Sequence, residues 1–471
     1  MGPSIGPGVH WCVGMSVGES VGKSNSPAEL LAALSEALDA DSIVPWAEID
    51  TDKQQKIVAA IAPNQPPAGI ALPTTEALGQ VMALANKNGW RVLPMGQGSK
   101  LSWGGLATEG IDLVVSTERL NQVIEHAVGD FTVTVQPGMK VAELKQLLAE
   151  QGQFLAVDPA FEEQASLGGL VSTADTGSLR QRYGGLRDML IGVQFVRYDG
   201  EVARAGGRVV KNVAGYDLMK LLTGAYGSLG IVSELTFRLY PVQPVSRTLV
   251  LSGGSSEVEA AISEVRMSGL TPVALDVLSV QLMASLGQTE RLGLVARFQG
   301  IEDAVEEQTE RIQKIATTHS MDCVQLDGTA DSDFWQRSAE VIRPDTVLCK
   351  VGLRPTGIPW LIELADEIAP SSQLRLYGSS GLGWVQLELT DGTGDKPVDE
   401  TGDEWVSVLE QLRSHCQKNA GFLTILQAPK PLKGKMEVWG YSGNALGVMK
   451  DIKEKFDPNK LLSPGRFVGG L

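Results

Sequence analysis

Glycine spacing marks the part of this chain best able to hold a ligand. Gly224, Gly227 and Gly230 recur at three-residue intervals between a short apolar run and an alternating strand that closes at Pro241. Residues without a Cβ let the backbone turn sharply and approach a bound group closely. A second cluster is Leu93-Pro94-Met95-Gly96-Gln97-Gly98-Ser99-Lys100-Leu101, which continues through Trp103 to Gly104-Gly105 and directly follows a predicted strand. Closely spaced glycines can turn successive N–H groups into one concavity suited to a pyrophosphate. A Rossmann fingerprint needs a third glycine where Leu101 stands, so the loop is either a phosphate cradle of another kind or a tight turn.

A third cluster runs from Asp158-Pro159 through Ala165-Ser166-Leu167-Gly168-Gly169 to Thr176-Gly177 and Arg182-Tyr183-Gly184-Gly185. Its small residues allow backbone contact with a flat ring, and its arginines could offset anionic charge. A glycine-rich turn with solvated arginines reads equally well when the segment is taken alone. Order decides: a loop near 96, a small-residue loop near 168 and a glycine repeat near 227 fall within one stretch.

These elements must be positioned by helices and strands legible in the pattern. Ser26-Pro27-Ala28-Glu29 is a capping box that starts a short helix with Leu30, Leu34 and Leu38 on one face. Leu78, Val81, Met82 and Ala85 form a helical stripe, as do Val141, Leu144, Leu147 and Leu148. Strands are predicted at 91–93 and 113–115, and over the alternating Phe131, Val133 and Val135. Beyond Pro244 the glycine clusters stop. A second capping box at Ser256–Glu259 leads into Ile262 and Val265. Further helix faces are Val305, Gln308, Ile312, Ile315 and Trp405, Val408, Leu409, Leu412, Cys416. Strands at 293–298, 346–353 and 384–390, with Val385, Leu387 and Leu389 alternating, indicate an antiparallel sheet with helices on one face. Residues 1–25 read as disordered, and 391–402 as an acidic surface loop.

The fold class is therefore α+β. A net charge of −16 argues against nucleic acid as a partner, and no apolar run approaches the roughly 20 residues of a membrane span. Cys12, Cys323, Cys349 and Cys416 are scattered without a CxxC pair, so neither an iron–sulfur cluster nor a zinc ribbon is expected from this chain, and no metal site. A cytoplasmic setting is the expectation, with any membrane association made through partner subunits.

On these motifs, residues 70–243 resemble the PCMH-type FAD-binding domain of the vanillyl-alcohol-oxidase superfamily. Lys211-Asn212-Val213-Ala214-Gly215-Tyr216-Asp217-Leu218 resembles the FAD-binding E subunits of bacterial glycolate oxidase, as does Phe456-Asp457-Pro458 through Gly465-Arg466, with Ser463 where asparagine is usual. The resemblance implies a two-subdomain FAD-binding unit at 69–243 after an extension at 1–68, an α+β cap at 244–445, and a C-terminal segment at 446–471 returning to the flavin unit. It implies FAD held non-covalently, because the first loop has Ser99 and Lys100 where covalent relatives carry histidine. Pro94, Met95, Gly96, Gln97, Gly98, Ser99, Lys100 and Leu101 would hold the pyrophosphate. Asp158, Ser166, Gly168, Gly169, Thr176 and Gly177 would line the path of the dinucleotide and ring, and Gly230 and Ile231 the adenosine end.

The histidine-rich segment that supplies the base in catalytic relatives is missing. The histidines are His10, His126, His319 and His415, none in such a segment; His126 and His415 read as structural, and no catalytic residue is assigned. Arg187, Arg375 and Arg466 are candidates to bind a carboxylate or solvated surface groups. The implied function is an FAD-binding subunit oxidising glycolate to glyoxylate. A histidine-bearing flavoprotein subunit would take the proton, and an iron–sulfur subunit the electrons. The alternatives are a self-sufficient FAD-dependent dehydrogenase of another small hydroxy acid and a non-catalytic structural subunit.

Overall fold

A computed structural model describes residues 26–62, 65–207, 216–388 and 403–471. The sequence readings at 1–25 and 391–402, and most of the Lys211–Leu218 motif, lie outside these residues. Two smaller sheets, and a two-stranded pairing of Gln153–Phe154 with Tyr240–Pro241, occupy the first half of the chain among the described residues. One has four strands in the order Ile43–Pro45, Gly69–Ala71, Leu113–Ser116, Val92–Met95, its last three parallel. The other has five antiparallel strands in the order Val123–Ala127, Thr132–Val135, Ile231–Arg238, Leu190–Val196, Val202–Gly206. The second half forms one eight-stranded antiparallel sheet, from the edge strand Asp322–Asp327 to Phe422–Gln427. Sheets and helices segregate as an α+β protein requires. No helix among the described residues is long and apolar enough to cross a membrane.

The large sheet has two apolar faces. Val347, Cys349 and Val351 face the helices Ser255–Met267, Glu302–Thr318, Ile358–Ile368 and Asp403–Lys418 in one core. The alternate positions, Leu348 and Lys350, point the other way, toward the first half of the molecule. Strand side chains alternate with period two, so one strand serves the core and the interface at once.

Several elements differ from the sequence pattern. The second capping box is not used: the helix begins at Ser255 behind Gly254, with no side-chain cap. Thr309, rather than Gln308, completes the buried face of the long helix; Gln308 instead accepts from Thr271. Phe131 is outside its strand, in a left-handed conformation at φ 53°. Residues 26–62 pack against the residues that follow. Their strand Ile43–Pro45 pairs with Gly69–Ala71, and Leu30 and Leu34 share a core with Val92 and Leu462.

The chain end is pinned by a buried ion pair. Asp457 accepts from Lys453 Nζ at 2.6 Å and from the N–H groups of Leu461 and Leu462 at 3.0 and 2.8 Å. Lys453 Nζ also donates to Ser228 O at 2.8 Å, inside the glycine triplet, and to Leu462 O at 2.9 Å. Burial lowers the lysine's pKa, and Asp457 opposes that shift. The following residues bond Val92 from both sides, through Val92 N–H to Leu461 O and Ser463 N–H to Val92 O. Removing one partner leaves a buried charge without compensation, at a cost of about 3–5 kcal/mol. Asp457→Ala should therefore lower the unfolding free energy by about that amount in denaturant titration; a loss under about 1 kcal/mol would show that the clasp is dispensable.

Candidate functional site

Between the two small sheets lies a narrow groove of about 80 Å³. Pro94, Met95, Gly96, Gly98, Ser99, Lys100 and Leu101 form one wall, Ser166, Gly168 and Gly169 a second, and Gly227, Gly230, Ile231 and Arg466 a third. The glycine triplet does two separate jobs here. Gly227 has φ +73°, a backbone that side-chain-bearing residues rarely adopt, whereas a Cβ on Gly230 would come within 2.7 Å of the Phe195 ring. Gln97 belongs to the loop but turns away, donating from its side chain to Gly138 O at 3.2 Å.

Beyond Tyr226 and Thr173, which line both spaces, the groove meets a chamber of about 280 Å³ facing the large sheet. Its walls are Trp103, Trp384, Phe422, Trp439 and Phe467, with Thr176, Asp175, Arg180, Lys350 and Tyr377 as polar members. Tyr226 stands at the junction in a left-handed conformation, φ 52°, packed edge-on against Trp439 at 4.9 Å. For a bulky residue that conformation is strained and persists only where packing enforces it. Burial raises the Tyr226 hydroxyl pKa, Arg466 opposes the rise and Asp175 adds to it.

The groove fits an anionic, acceptor-rich ligand. Among the described residues, the backbone N–H groups of Gln97, Gly98, Ser99 and Lys100 donate to no protein acceptor. Arg466 is 4% exposed and faces no carboxylate; its Nη2 donates to Leu101 O and to Trp103 O at 3.0 Å, while its Nε is buried without a partner. Burial pushes its pKa down to about 10. Trp103 Nε1, on the chamber wall, is likewise buried and unpaired. Unpaired buried donors cost about 1–3 kcal/mol each unless a ligand accepts from them. Lys100 Nζ lies 2.7 Å from Asp175, which neutralises the carboxylate between groove and chamber.

Besides Gln97, three expected residues are outside the groove: Thr176 lines the chamber, and Asp158 and Gly177 lie beyond it. Asp158 lines a third cavity of about 700 Å³, and its carboxylate accepts the N–H groups of Gly177, Ser178 and Leu179. It thereby shapes the loop that carries Asp175, Thr176 and Arg180 into the chamber. Ser178 Oγ in turn donates to Asp276 of the large sheet, and Tyr377 donates to Thr176 O at 3.3 Å. Of the arginine candidates, Arg187 is exposed and Arg375 lines the third cavity, 3.8 Å from Asp276. His126 bonds Gln153, His319 bonds Glu264, and His415 is on a core helix; none of these three lines the groove, the chamber or the third cavity. No metal-holding group of side chains occurs among the described residues.

Residues 66–206 match the FAD binding domain family. An uncharacterized FAD-linked oxidoreductase of Mycobacterium tuberculosis is 34% identical over 444 residues, covering 86% of this chain and 92% of its own. The chain belongs to the FAD-linked oxidoreductases. Its cofactor is FAD. The glycolate oxidase subunit GlcD of Bacillus subtilis is 25% identical over 86% of this oxidoreductase and 89% of its own length. The solved structure of p-cresol methylhydroxylase with substrate bound shares the fold, with a TM-score of 0.71 at 14% identity over 93% of this chain and 96% of that one.

Sequence reasoning missed Lys350, Tyr226 and Tyr377. A lysine in the apolar run Val347-Leu348-Cys349-Lys350-Val351 was the available signal for the first. The Asp158–Asp276 pair carries a pH signature. Burial raises Asp158 from 3.8 to about 7 and Asp276 from 3.8 to about 6, and each is partly offset by its partners. Both carboxyls keep a proton in the folded state at pH values where the unfolded chain has lost it. Their contribution to stability is therefore present below pH 3.8 and is lost as pH rises to about 7. Thermal unfolding should show that decline between pH 5 and 7, and Asp276→Asn should flatten it; an unchanged slope in the variant would assign the decline to other groups.

Proposed function

We propose that this oxidoreductase is the FAD-binding subunit of a glycolate-oxidase-type dehydrogenase and that its own chamber takes a small 2-hydroxy acid such as glycolate. The observation carrying this reading is the chamber's charge. Among the described residues Asp175 is its single lining carboxylate and is paired with Lys100, which leaves Arg180 without an anionic partner in it, beside Lys350 as a second basic side chain. A space of about 280 Å³ with aromatic walls suits a short acid rather than a long chain or a large ring system.

When bound, FAD would supply the two-electron acceptor, and the reduced form would pass electrons onward. Non-covalent retention would rest on the four free N–H groups at Gln97–Lys100, on Ser166, Gly168 and Gly169, and on Arg466. Residues 69–243 with the segment after 446 would form the flavin unit, and 244–445 the cap over its reactive side. Arg180 at the chamber rim would hold the substrate carboxylate, for which a guanidinium is the better-matched cation. Trp384, Phe422 and Trp439 would exclude water and strengthen that attraction. The relative named a glycolate oxidase subunit supports both the substrate class and a multi-subunit setting. An iron–sulfur partner would take the electrons, with any membrane contact made through partners.

The absence of histidine from the chamber, among the described residues, favours a second reading in which a histidine-bearing sister subunit removes the proton. Anaerobic mixing of the purified, flavin-loaded chain with glycolate or D-lactate separates the two. Bleaching of the flavin by the acids, and not by ethylene glycol or ethanol, is expected. Bleaching only after partner subunits are added would move the chemistry to them.

A further inference from the structure

Lys350 stands in the middle of the large sheet, registered opposite Trp384 on one neighbouring strand and Thr424 on the other, and all three line the chamber. Among the described residues its Nζ has neither an ion pair nor a hydrogen bond with the protein, unlike the other inward lysines. Lys100 is held by Asp175, Lys433 by the carbonyls of Ser102, Gly104 and Leu426, and Lys453 by Asp457. Lys350 is therefore an unpartnered amine that lines the space where a substrate would sit.

We propose that Lys350 is the base that takes the substrate's hydroxyl proton, in place of the histidine that the sequence lacks. This rests on reading the chamber as the place where a 2-hydroxy acid is oxidised. The O–H and C2–H bonds of the acid break and a C2=O bond forms. The proton goes to Lys350 Nζ, the C2 hydrogen leaves with its electron pair to oxidised flavin, and the lysine later returns its proton to water. A lysine acts this way in its neutral form, and its surroundings shift it in that direction. Burial against aromatic side chains lowers its pKa and Arg180 lowers it further, while Asp175 opposes both. The remaining titratable groups facing the chamber are Tyr226 and Tyr377, both raised by burial and so uncharged. The two basic side chains divide the work: Arg180 holds the carboxylate and Lys350 accepts the proton.

The test begins by recording flavin absorbance of the purified chain. A chain without flavin, or one loaded but bleached by no 2-hydroxy acid, fails the underlying reading; the amine itself is then probed directly. A neutral lysine in the chamber condenses with the 2-oxo acid glyoxylate, and cyanoborohydride fixes the imine. Peptide mapping of the loaded chain treated at pH 7 should find Lys350 alkylated well ahead of surface lysines, with oxalate protecting it. A spared Lys350 would overturn the proposal. In the kinetic arm, Lys350→Met and Lys350→Arg should both slow flavin reduction by about 10³-fold while retaining flavin, and methylamine should restore part of the rate to Lys350→Ala. Retention of most of the rate by Lys350→Arg would show that positive charge, not proton acceptance, is what the position supplies.

Discussion

The buried pairing of Lys453 with Asp457 fixes the path of the chain's last residues, and the ligand groove depends on that path. Its hydrogen bonds reach Ser228 in the glycine triplet and Leu461–Leu462 beside Val92, the first residue of the strand that launches the phosphate-type loop. Three segments distant in sequence are thereby held in one register. Arg466 follows four residues after Leu462 and is delivered into the groove, where its guanidinium bonds the carbonyls of Leu101 and Trp103. A charge buried this deeply is tolerated when its partners are in place and destabilises the fold when they are not.

The same economy of contacts joins the halves. Asp158 collects three consecutive N–H groups, Ser178 donates to Asp276, and Tyr377 donates to Thr176 O. Both carboxyls sit at the seam, and the loop between them bears Asp175 and Arg180. Groove and chamber then differ in electrostatic character. The groove offers unpaired N–H groups and one arginine, suited to an extended anion. The chamber offers an arginine and an unpartnered lysine within aromatic walls, suited to a small acid.

Much of the flavin half was legible in the sequence because glycine placement reports backbone demands directly. Gly227 needs a left-handed backbone and Gly230 needs close approach, and both signals survive without knowledge of the fold. The stripe of Leu78, Val81, Met82 and Ala85 is buried as its spacing indicates. Local chemistry was less decisive elsewhere. Ser256 and Glu259 have the residue types of a capping box, but the turn behind Gly254 starts the helix earlier. Asp158 reads as a ligand contact from its place beside small residues, yet its carboxylate is taken up by backbone N–H groups about 20 residues away in sequence. Lys350 was passed over because a lysine's surroundings depend on which face of a strand it occupies and what that face meets. That depends on contacts with residues near 175 and 384, which no local pattern records.

One route leads from the Gln97–Lys100 loop past Tyr226 to the face of the large sheet. The position of FAD in crystals of the purified chain tests it most directly. The account predicts the pyrophosphate against the N–H groups of Gln97 to Lys100 and the ring end at Tyr226, open toward Lys350. FAD bound with its ring end turned away from the chamber, or in the cavity beside Asp158, would contradict it.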